Sequence, residues 1–203
     1  MIKQFFYNFG KFLFFLTPSI FRRFDNVIWA INTGFHVCGM KSVGRHVTLE
    51  HPVRKLIGRQ YISIGDKCYI GRNAVITAWD QLMIPEIVIG KQVVIGDDCH
   101  ITAANSIIIG NGTLMGKKVT ITDNSHGAFT IEDLALNPLD RAITSKGKVV
   151  VGEKVWIGDK VTICPGVTIG NGAIIGANAV VTKDIPERSI AVGNPARVIK
   201  TVK

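Results

Sequence analysis

Charged residues are scarce in this chain of 203 residues: they make up 19% of it, against 47% hydrophobic residues. That balance excludes an intrinsically disordered chain and indicates one packed domain of ordinary size with room for an appendage. Long apolar runs are also absent, since none exceeds Phe12–Leu16. Such a run is far too short to span a bilayer, and no small-residue cleavage site follows it. Neither a membrane span nor a secretory signal is therefore expected.

The chain also lacks paired cysteines, because none of its four forms a CxxC motif or a zinc-type pair. Cys68 and Cys99 stand at a repeat position that small aliphatic residues fill elsewhere. They are predicted to be small buried core residues in a reducing compartment. No Ser-His-Asp or Cys-His pattern indicates a catalytic nucleophile.

Acidic residues are outnumbered, and the formal net charge is +9. A basic surface suggests an anionic partner, such as nucleic acid, a phosphorylated cofactor, an acidic polysaccharide or a membrane. Charge that serves only solubility explains the excess equally well.

The chain is rich, by contrast, in a six-residue repeat, in which an aliphatic residue, usually followed by glycine, returns every six positions. The series comprises Ile64, Ile70 and Ile76; Ile89, Ile95 and Ile101; Ile109, Met115 and Ile121; and Val151, Ile157, Ile163, Ile169, Ile175 and Val181. A fixed short period of this kind predicts a stacked parallel β-helix. Each hexad would form one face with its aliphatic residue pointing inward, glycine would permit the corner, and three hexads would close a coil.

Two regions follow from the pattern: a Phe-rich helical segment over residues 1–40 and the β-helix over residues 41–203. Helical spacing predicts one N-terminal helix from Phe5, Phe9, Phe12 and Leu16, and a second that begins at Thr17 and Pro18 and reaches Gly34. These helices are expected to pack on the prism or on a neighbouring subunit. The alternative is an in-plane membrane contact through residues 1–35.

Two breaks interrupt the hexads, at residues 78–87 and at residues 124–148. Both contain proline and are predicted to be loops. The longer one is expected to serve function, because a long excursion from a regular solenoid is more often functional than accidental.

Three segments carry a family resemblance: Val151–Gly170, Ile175–Pro186 and the Gly193–Arg197 ending. Together they resemble the hexapeptide-repeat acyltransferases, and most closely the sugar and polysaccharide O-acetyltransferases of the maltose, galactoside and lipopolysaccharide types. The resemblance covers roughly residues 60–200. It implies an all-β, left-handed parallel β-helix, acetyl-CoA as acyl donor, no metal, and a homotrimer whose active sites lie between subunits.

The segment Ile121–Gly127 resembles the catalytic histidine segment of that family. A sugar hydroxyl must lose its proton as it attacks a thioester, and an imidazole suits that transfer, so His126 is predicted to be the general base. Asp123 and Asn124 are expected to orient the imidazole or the substrate, although Asp123 fits a turn cap as well. His100 is expected to hold the acceptor.

Arg141 lies in the long excursion, which follows His126 directly. The excursion is predicted to wall the acceptor pocket as an acceptor loop, with Arg141 facing an acidic or phosphorylated sugar. Packing within a trimer is the alternative.

By resemblance, the pantetheine arm of CoA would lie beside Trp156, Gly158 and Ala177. The phosphates would meet a second group in the C-terminal tail, comprising Thr182, Lys183 and Arg197. Cationic side chains suit phosphate oxygens. For Lys183 a solvated charge, and for Trp156 a core position, remain alternatives.

The sequence thus predicts a cytoplasmic O-acetyltransferase, placed at the inner face of the membrane if the N-terminal helices touch lipid. It would transfer acetyl from acetyl-CoA to a hydroxyl of a sugar or surface-polysaccharide precursor, directly, in a ternary complex. No nucleic-acid partner is expected. An N-acetyltransferase acting on an amino sugar or sugar nucleotide and a non-enzymatic scaffold are the alternatives. A γ-class carbonic anhydrase is rejected, because His100 and His126 lack a third histidine at suitable spacing.

Overall fold

The computed structural model describes residues 4–9, 11 and 18–202. Its helical parts are residues 4–9 and Pro18–Val37 at the N-terminus and Ile131–Leu134 in the long excursion, with short 3-10 turns at Arg59–Tyr61 and Pro138–Asp140. The remaining elements are short strands.

The strands, in chain order, are β1 Ser42–Val43, β2 Thr48–Leu49, β3 Lys55–Ile57, β4 Ile62–Ile64, β5 Tyr69–Ile70, β6 Val75–Ala78, β7 Glu86–Ile89, β8 Val94–Ile95, β9 His100–Ala103, β10 Ser106–Ile109, β11 Leu114–Met115, β12 Thr120–Thr122, β13 Asn124–His126, β14 Ile143–Ser145, β15 Val149–Val151, β16 Trp156–Ile157, β17 Thr162–Ile163, β18 Thr168–Ile169, β19 Ile174–Ile175, β20 Val180–Val181, β21 Ser189–Val192 and β22 Arg197–Thr201.

Successive strands fall in turn on three sheets, which form the faces of a prism. The first face has the order β1-β4-β7-β10-β15-β18, the second β2-β5-β8-β11-β16-β19-β21-β22, and the third β3-β6-β9-β12-β17-β20. Neighbouring strands are parallel throughout these faces except at β21 and β22. The predicted left-handed parallel β-helix is confirmed.

The core is a column of stacked aliphatic side chains. On the first face Ile62, Ile87, Ile107 and Val149 stand in register on consecutive coils, and each is fully buried. Removing such a side chain from water stabilises the fold by about 1.5–3 kcal/mol. The hexad aliphatic residues two positions later, Ile64, Ile89 and Ile109, stand in register in the same way.

Cys68 and Cys99 lie in this core as predicted, each only 1% exposed. Burial raises the pKa of the Cys99 thiol to about 11. Burial also raises the pKa of the Cys68 thiol. Both thiols therefore stay protonated near neutral pH and act as small apolar groups.

Glycine is needed at the corners because two coils approach closely there, and not because its backbone is flexible. A Cβ on Gly110 would lie 2.5 Å from backbone atoms of Gly152 on the next coil, so glycine is required by the close approach of two coils. The positive φ falls two residues later, usually on residues other than glycine, such as Lys67 and Asn73, each at 58°.

A polar side chain at each of several corners ties one coil to the next. Asp159 accepts a hydrogen bond from the backbone N–H of Lys117 at 2.8 Å, and Asn111 accepts one from Lys91 at the same distance. Such bonds satisfy corner N–H groups that no strand partner reaches. They explain why aspartate or asparagine recurs after the glycine.

The second N-terminal helix, Pro18–Val37, continues three residues beyond Gly34, where the sequence predicted its end. It docks on the first coil through the buried Thr33, whose hydroxyl accepts a hydrogen bond from the Leu49 backbone N–H at 3.1 Å. The predictions for Phe12, Leu16 and Thr17 lie outside the described residues.

Both predicted breaks leave the prism. The shorter one, between β6 and β7, covers residues 79–85. The longer one is an arm rather than a simple loop: β13 and β14 form an antiparallel pair, and the helix Ile131–Leu134, capped by Thr130, follows the first strand. The arm is inserted between β12 of the third face and β15 of the first face.

Candidate active site

The third face carries an open cleft of about 420 Å³, walled on one side by the arm. Its lining residues are Lys55, Val75, Thr77, Trp79, Gln81, His100, Thr102, Asn124, His126 and Ile143. The structure therefore brings together three of the residues predicted to form the site: His100, Asn124 and His126.

His126 is the last residue of β13, where it pairs with Ile143 on β14. Neighbouring bonds fix the strand, because the Thr144 hydroxyl donates to the Gly127 carbonyl at 2.8 Å. The imidazole is exposed and borders both the cleft and a second pocket on the other side of the arm. This position gives it access to solvent and to a bound molecule, as a general base requires.

His100 begins β9, where the alternation of the strand turns its side chain outward while Ile101 points into the core. Partial burial lowers the pKa of His100, and the nearby ammonium of Lys55 lowers it further. A lowered pKa keeps the imidazole neutral at neutral pH. A neutral ring offers one N–H donor and one acceptor nitrogen, which suits a sugar hydroxyl.

Asn124 lines the cleft with its side chain held in place. Its Nδ2 donates to the Thr102 carbonyl at 3.2 Å and to Asp123 Oδ1 at 3.0 Å. Both amide hydrogens are thereby used, which leaves Oδ1 to accept a hydrogen bond from a bound molecule.

Asp123 does not line the cleft, because its side chain is fully buried beneath it. Its two oxygens accept hydrogen bonds from the backbone N–H groups of Ala104 and Asn105 at 2.8 and 2.9 Å. These bonds fix the turn after β9 and, through Asn124, the start of the arm. Asp123 is placed to position the site rather than to touch a substrate.

Arg141 also lies apart from the cleft. It lines the second pocket, of about 380 Å³, which shares His126 with the cleft. Its guanidinium Nε and Nη2 both donate to the Leu136 carbonyl at 3.2 Å. The side chain thus closes the turn of the arm.

Seven of the ten lining residues were not predicted from the sequence, among them Lys55, Trp79 and Gln81. Lys55 stands beside Val75, which stands beside His100, on consecutive coils of the third face. Lys55 directly precedes Leu56 just as His100 precedes Ile101, so extending the repeat back to Leu56 would have aligned the two.

The residues predicted to contact CoA lie away from this cleft. Gly158 and Ala177 are adjacent at the corner between the second and third faces, and Trp156 is exposed on the second face just before it. Thr182 and Lys183 are exposed after β20, and Arg197 begins β22. No residue of this set lines the cleft. One chain therefore does not combine the two predicted groups.

Among residues 4–9, 11 and 18–202, no group of three His, Cys, Asp or Glu side chains is arranged to hold a metal ion. Within the same described part of the chain, no helix is both long and apolar enough to cross a membrane.

Comparison with known families supports the interpretation of the repeats. Residues 148–183 match the bacterial transferase hexapeptide (six repeats) family, and residues 61–78 match the hexapeptide repeat of succinyl-transferase. A protein of Escherichia coli strain K12, WbbJ, described as a putative lipopolysaccharide biosynthesis O-acetyl transferase, is 41% identical over 117 residues. The aligned region covers 56% of this chain and 60% of WbbJ, so the chain spans about 60% of the length of this relative.

Two solved structures share the architecture. AntD, an N-acyltransferase from Bacillus cereus in complex with dTDP and 3-hydroxybutyryl-CoA, has a TM-score of 0.70 and 21% identity over 85% of this chain and 88% of its own. At that identity the likeness shows the fold alone. Galactoside acetyltransferase in complex with coenzyme A has a TM-score of 0.54 and 30% identity over 81% of this chain and 66% of its own. The resemblance to hexapeptide-repeat acyltransferases is confirmed.

Proposed function

We propose that this protein is an acetyl-CoA-dependent O-acetyltransferase acting on a hydroxyl of a sugar or surface-polysaccharide precursor. The observation that carries the proposal is the cleft in which His100, Asn124 and His126 converge on the face of a hexapeptide prism. The 41% identity to WbbJ supports a glycan acceptor and an oxygen nucleophile.

In this proposal His126 accepts the proton of the acceptor hydroxyl as its oxygen attacks the thioester carbonyl. The C–S bond then breaks, and the proton passes from the imidazolium to the departing thiolate of CoA. Asn124 Oδ1 and the neutral ring of His100 orient the acceptor by hydrogen bonds. The transfer is proposed to be direct, without an acyl-enzyme, because neither serine nor cysteine is among the residues that line the cleft.

Donor binding is proposed at Trp156, Gly158 and Ala177 for the pantetheine arm and at Lys183 and Arg197, with Thr182, for the phosphates. Both cations are exposed, and neither forms an ion pair within the described residues. They are therefore available to phosphate oxygens.

A homotrimer would complete the site by bringing the donor residues of one subunit to the cleft of its neighbour. Two exposed apolar surfaces support such assembly. One is the row Val94, Leu114 and Trp156 on the second face; the other is the arm, with Phe129, Ile131, Leu134, Leu136 and Leu139. Sedimentation of the wild type as a trimer, and of Leu114→Asp as smaller species, is expected. A monomeric wild type at micromolar concentration would contradict the assembly.

The helix Pro18–Val37 is proposed to contact the inner face of the membrane. Ile31 and Phe35 are exposed by 67% and 72%, and at 100° per residue both lie about 160° around the helix from the docked Thr33. Full-length protein should cosediment with phosphatidylglycerol vesicles, and the double variant Ile31→Asp, Phe35→Asp should not. Wild-type protein that stays in the supernatant would refute the contact.

The principal test of function measures thiol release from acetyl-CoA in the presence of a glycan panel. Removing the base with His126→Ala should lower kcat by about 100- to 10,000-fold while donor binding is retained. His100→Asn should raise KM for the acceptor more than it lowers kcat.

His51→Ala provides the matched control, because this histidine lies outside the cleft. Turnover that survives in His126→Ala would remove His126 as the base. Absence of CoA binding in the wild type would overturn the transferase and favour a scaffold. Transfer to amino sugars alone would identify the alternative N-acetyltransferase.

A further inference from the structure

The cleft extends well beyond the three residues assigned to the transfer step. Lys55, Val75 and His100 stand in one outward row on β3, β6 and β9. The two ends of that row are two strand spacings apart, a distance of about 10 Å. A glycan that presents a hydroxyl to His126 would have room to extend along the face towards Lys55 and Trp79.

Trp79 forms a fixed wall at the far end of this cleft. Its indole N–H donates to Thr77 Oγ1 at 3.1 Å, and its backbone N–H donates to the Ala103 carbonyl at 2.8 Å. The Thr77 side chain is itself buried, so the ring is anchored to the body of the prism. A rigid, half-exposed aromatic face is a suitable surface for the apolar side of a sugar ring.

Lys55 holds a positive charge directly over this wall. Its ammonium lies 5.4 Å from the centre of the Trp79 ring. Among the described residues, no carboxylate lies within 4.0 Å of this ammonium, and none lines the cleft. The nearest carboxylate along the chain from Trp79, that of Asp80, accepts a hydrogen bond from the Tyr61 hydroxyl at 3.2 Å outside the lining.

We propose that Lys55 and Trp79 form an acceptor subsite for a negatively charged sugar, with the ring stacked on Trp79 and its anionic group bound by Lys55. The inference rests on the proposed function, since it assigns the chemical class of acceptor to the same cleft. Arg141 was predicted to serve this purpose, but its guanidinium is bound to the Leu136 carbonyl in a different pocket. Lys55 is the cation that the cleft itself presents.

Binding can be tested without acetyl transfer, by quenching of tryptophan fluorescence in the full-length protein. The probes are cellobiose, which is neutral; cellobiouronic acid, the matched disaccharide with a carboxylate; and glucose 1-phosphate, which carries the charge as phosphate. Cellobiouronic acid or glucose 1-phosphate should bind about tenfold more tightly than cellobiose at low salt, and the advantage should fall as salt is added.

Lys55→Met should abolish the preference for the anionic probes. Lys91 is an exposed cation outside the cleft, so Lys91→Met should leave the preference intact. Trp79→Phe should remove the quenching signal and weaken the neutral and anionic disaccharides alike when binding is measured by calorimetry. Equal binding of all three probes by the wild type, an unchanged preference in Lys55→Met, or no binding of any probe would each overturn the subsite.

The outcomes separate this inference from the function on which it rests. A charge preference that depends on Lys55, together with no thiol release from acetyl-CoA, would retain the subsite and reject the transferase. Efficient transfer to neutral glycans that Lys55→Met leaves unchanged would retain the transferase and reject the subsite.

Discussion

The second and third faces of the prism carry different types of residue at the same repeat position. On both faces the residue before the inward aliphatic points outward. Along the second face this row contains Val94, Leu114 and Trp156, whereas along the third it contains Lys55 and His100 with Val75 between them. Stacking fixes the inward and corner positions, so the outward row is free to match whatever covers each face. An apolar row suits a protein surface, and a polar row in a cleft suits a small polar ligand.

The largest expected effect separates inward from outward positions at two adjacent residues. Ile101 is fully buried, so Ile101→Ala should lower the free energy of unfolding by about 2–5 kcal/mol. His100→Ala, one residue earlier on the exposed side, should change it by less than about 0.5 kcal/mol. Urea-induced unfolding at a fixed protein concentration measures both. Similar losses in the two variants would break the distinction.

A smaller effect is expected at two glycines of one corner. Gly110→Ala places a Cβ against backbone atoms of Gly152 and should cost about 1–3 kcal/mol. Gly112 has a φ of 67°, a conformation that Asn73 adopts elsewhere, and its Cβ would meet only the flexible Lys154 side chain at 3.6 Å. Gly112→Asn should therefore be tolerated. Thermal unfolding of both variants decides whether close approach or backbone conformation constrains the corner.

The smallest effect concerns the corner carboxylates. The backbone N–H of Arg45 lowers the pKa of Asp66. The Lys117 ammonium, then the backbone N–H of Arg72, lower the pKa of Asp97. Because both carboxyl groups have lower pKa values in the folded chain than in the unfolded chain, their ionised forms stabilise the fold above about pH 4. This stabilisation is lost as the pH falls through the folded-state pKa values.

The double variant Asp66→Asn, Asp97→Asn should keep the bonds between coils, as Asn111 does, but lose part of this acid sensitivity. Unfolding free energies compared at pH 7 and pH 3 measure the difference. A pH dependence identical to that of the wild type would show that these corners do not contribute.

The sequence predicted the fold more completely than the site, for a physical reason. Inward residues such as Ile95 repeat at a fixed interval, so their register can be counted without a structure. Lys55 and Trp79 reach the cleft only through pairing between coils of unequal length: Lys55 and Val75 are 20 residues apart, and Val75 and His100 are 25. The loop between β6 and β7 accounts for the longer second spacing. Only the folded chain shows that this loop brings Trp79 to the cleft.

Some site residues were nevertheless recognisable. His126 and His100 stood out because few histidines occur and the motif around His126 is specific. The buried position of Asp123 was not predictable, because its partners are backbone N–H groups 18 and 19 residues away. Sequence patterns report side-chain chemistry well, but they do not report which main-chain donors lie within reach.

The insertion of the arm at a corner has a consequence for how such a protein can diversify. Val149 pairs with Ile107, 42 positions earlier, whereas Ile107 pairs with Ile87, 20 positions earlier. The arm thus roughly doubles the number of residues between two paired strands. The entropic cost of closing a flexible loop rises by only about 0.6 kcal/mol for each doubling of its length. The strands on either side still meet as if the arm were missing. The wall of the cleft can therefore lengthen, shorten or be exchanged by descent or by design, while the scaffold beneath it keeps its architecture.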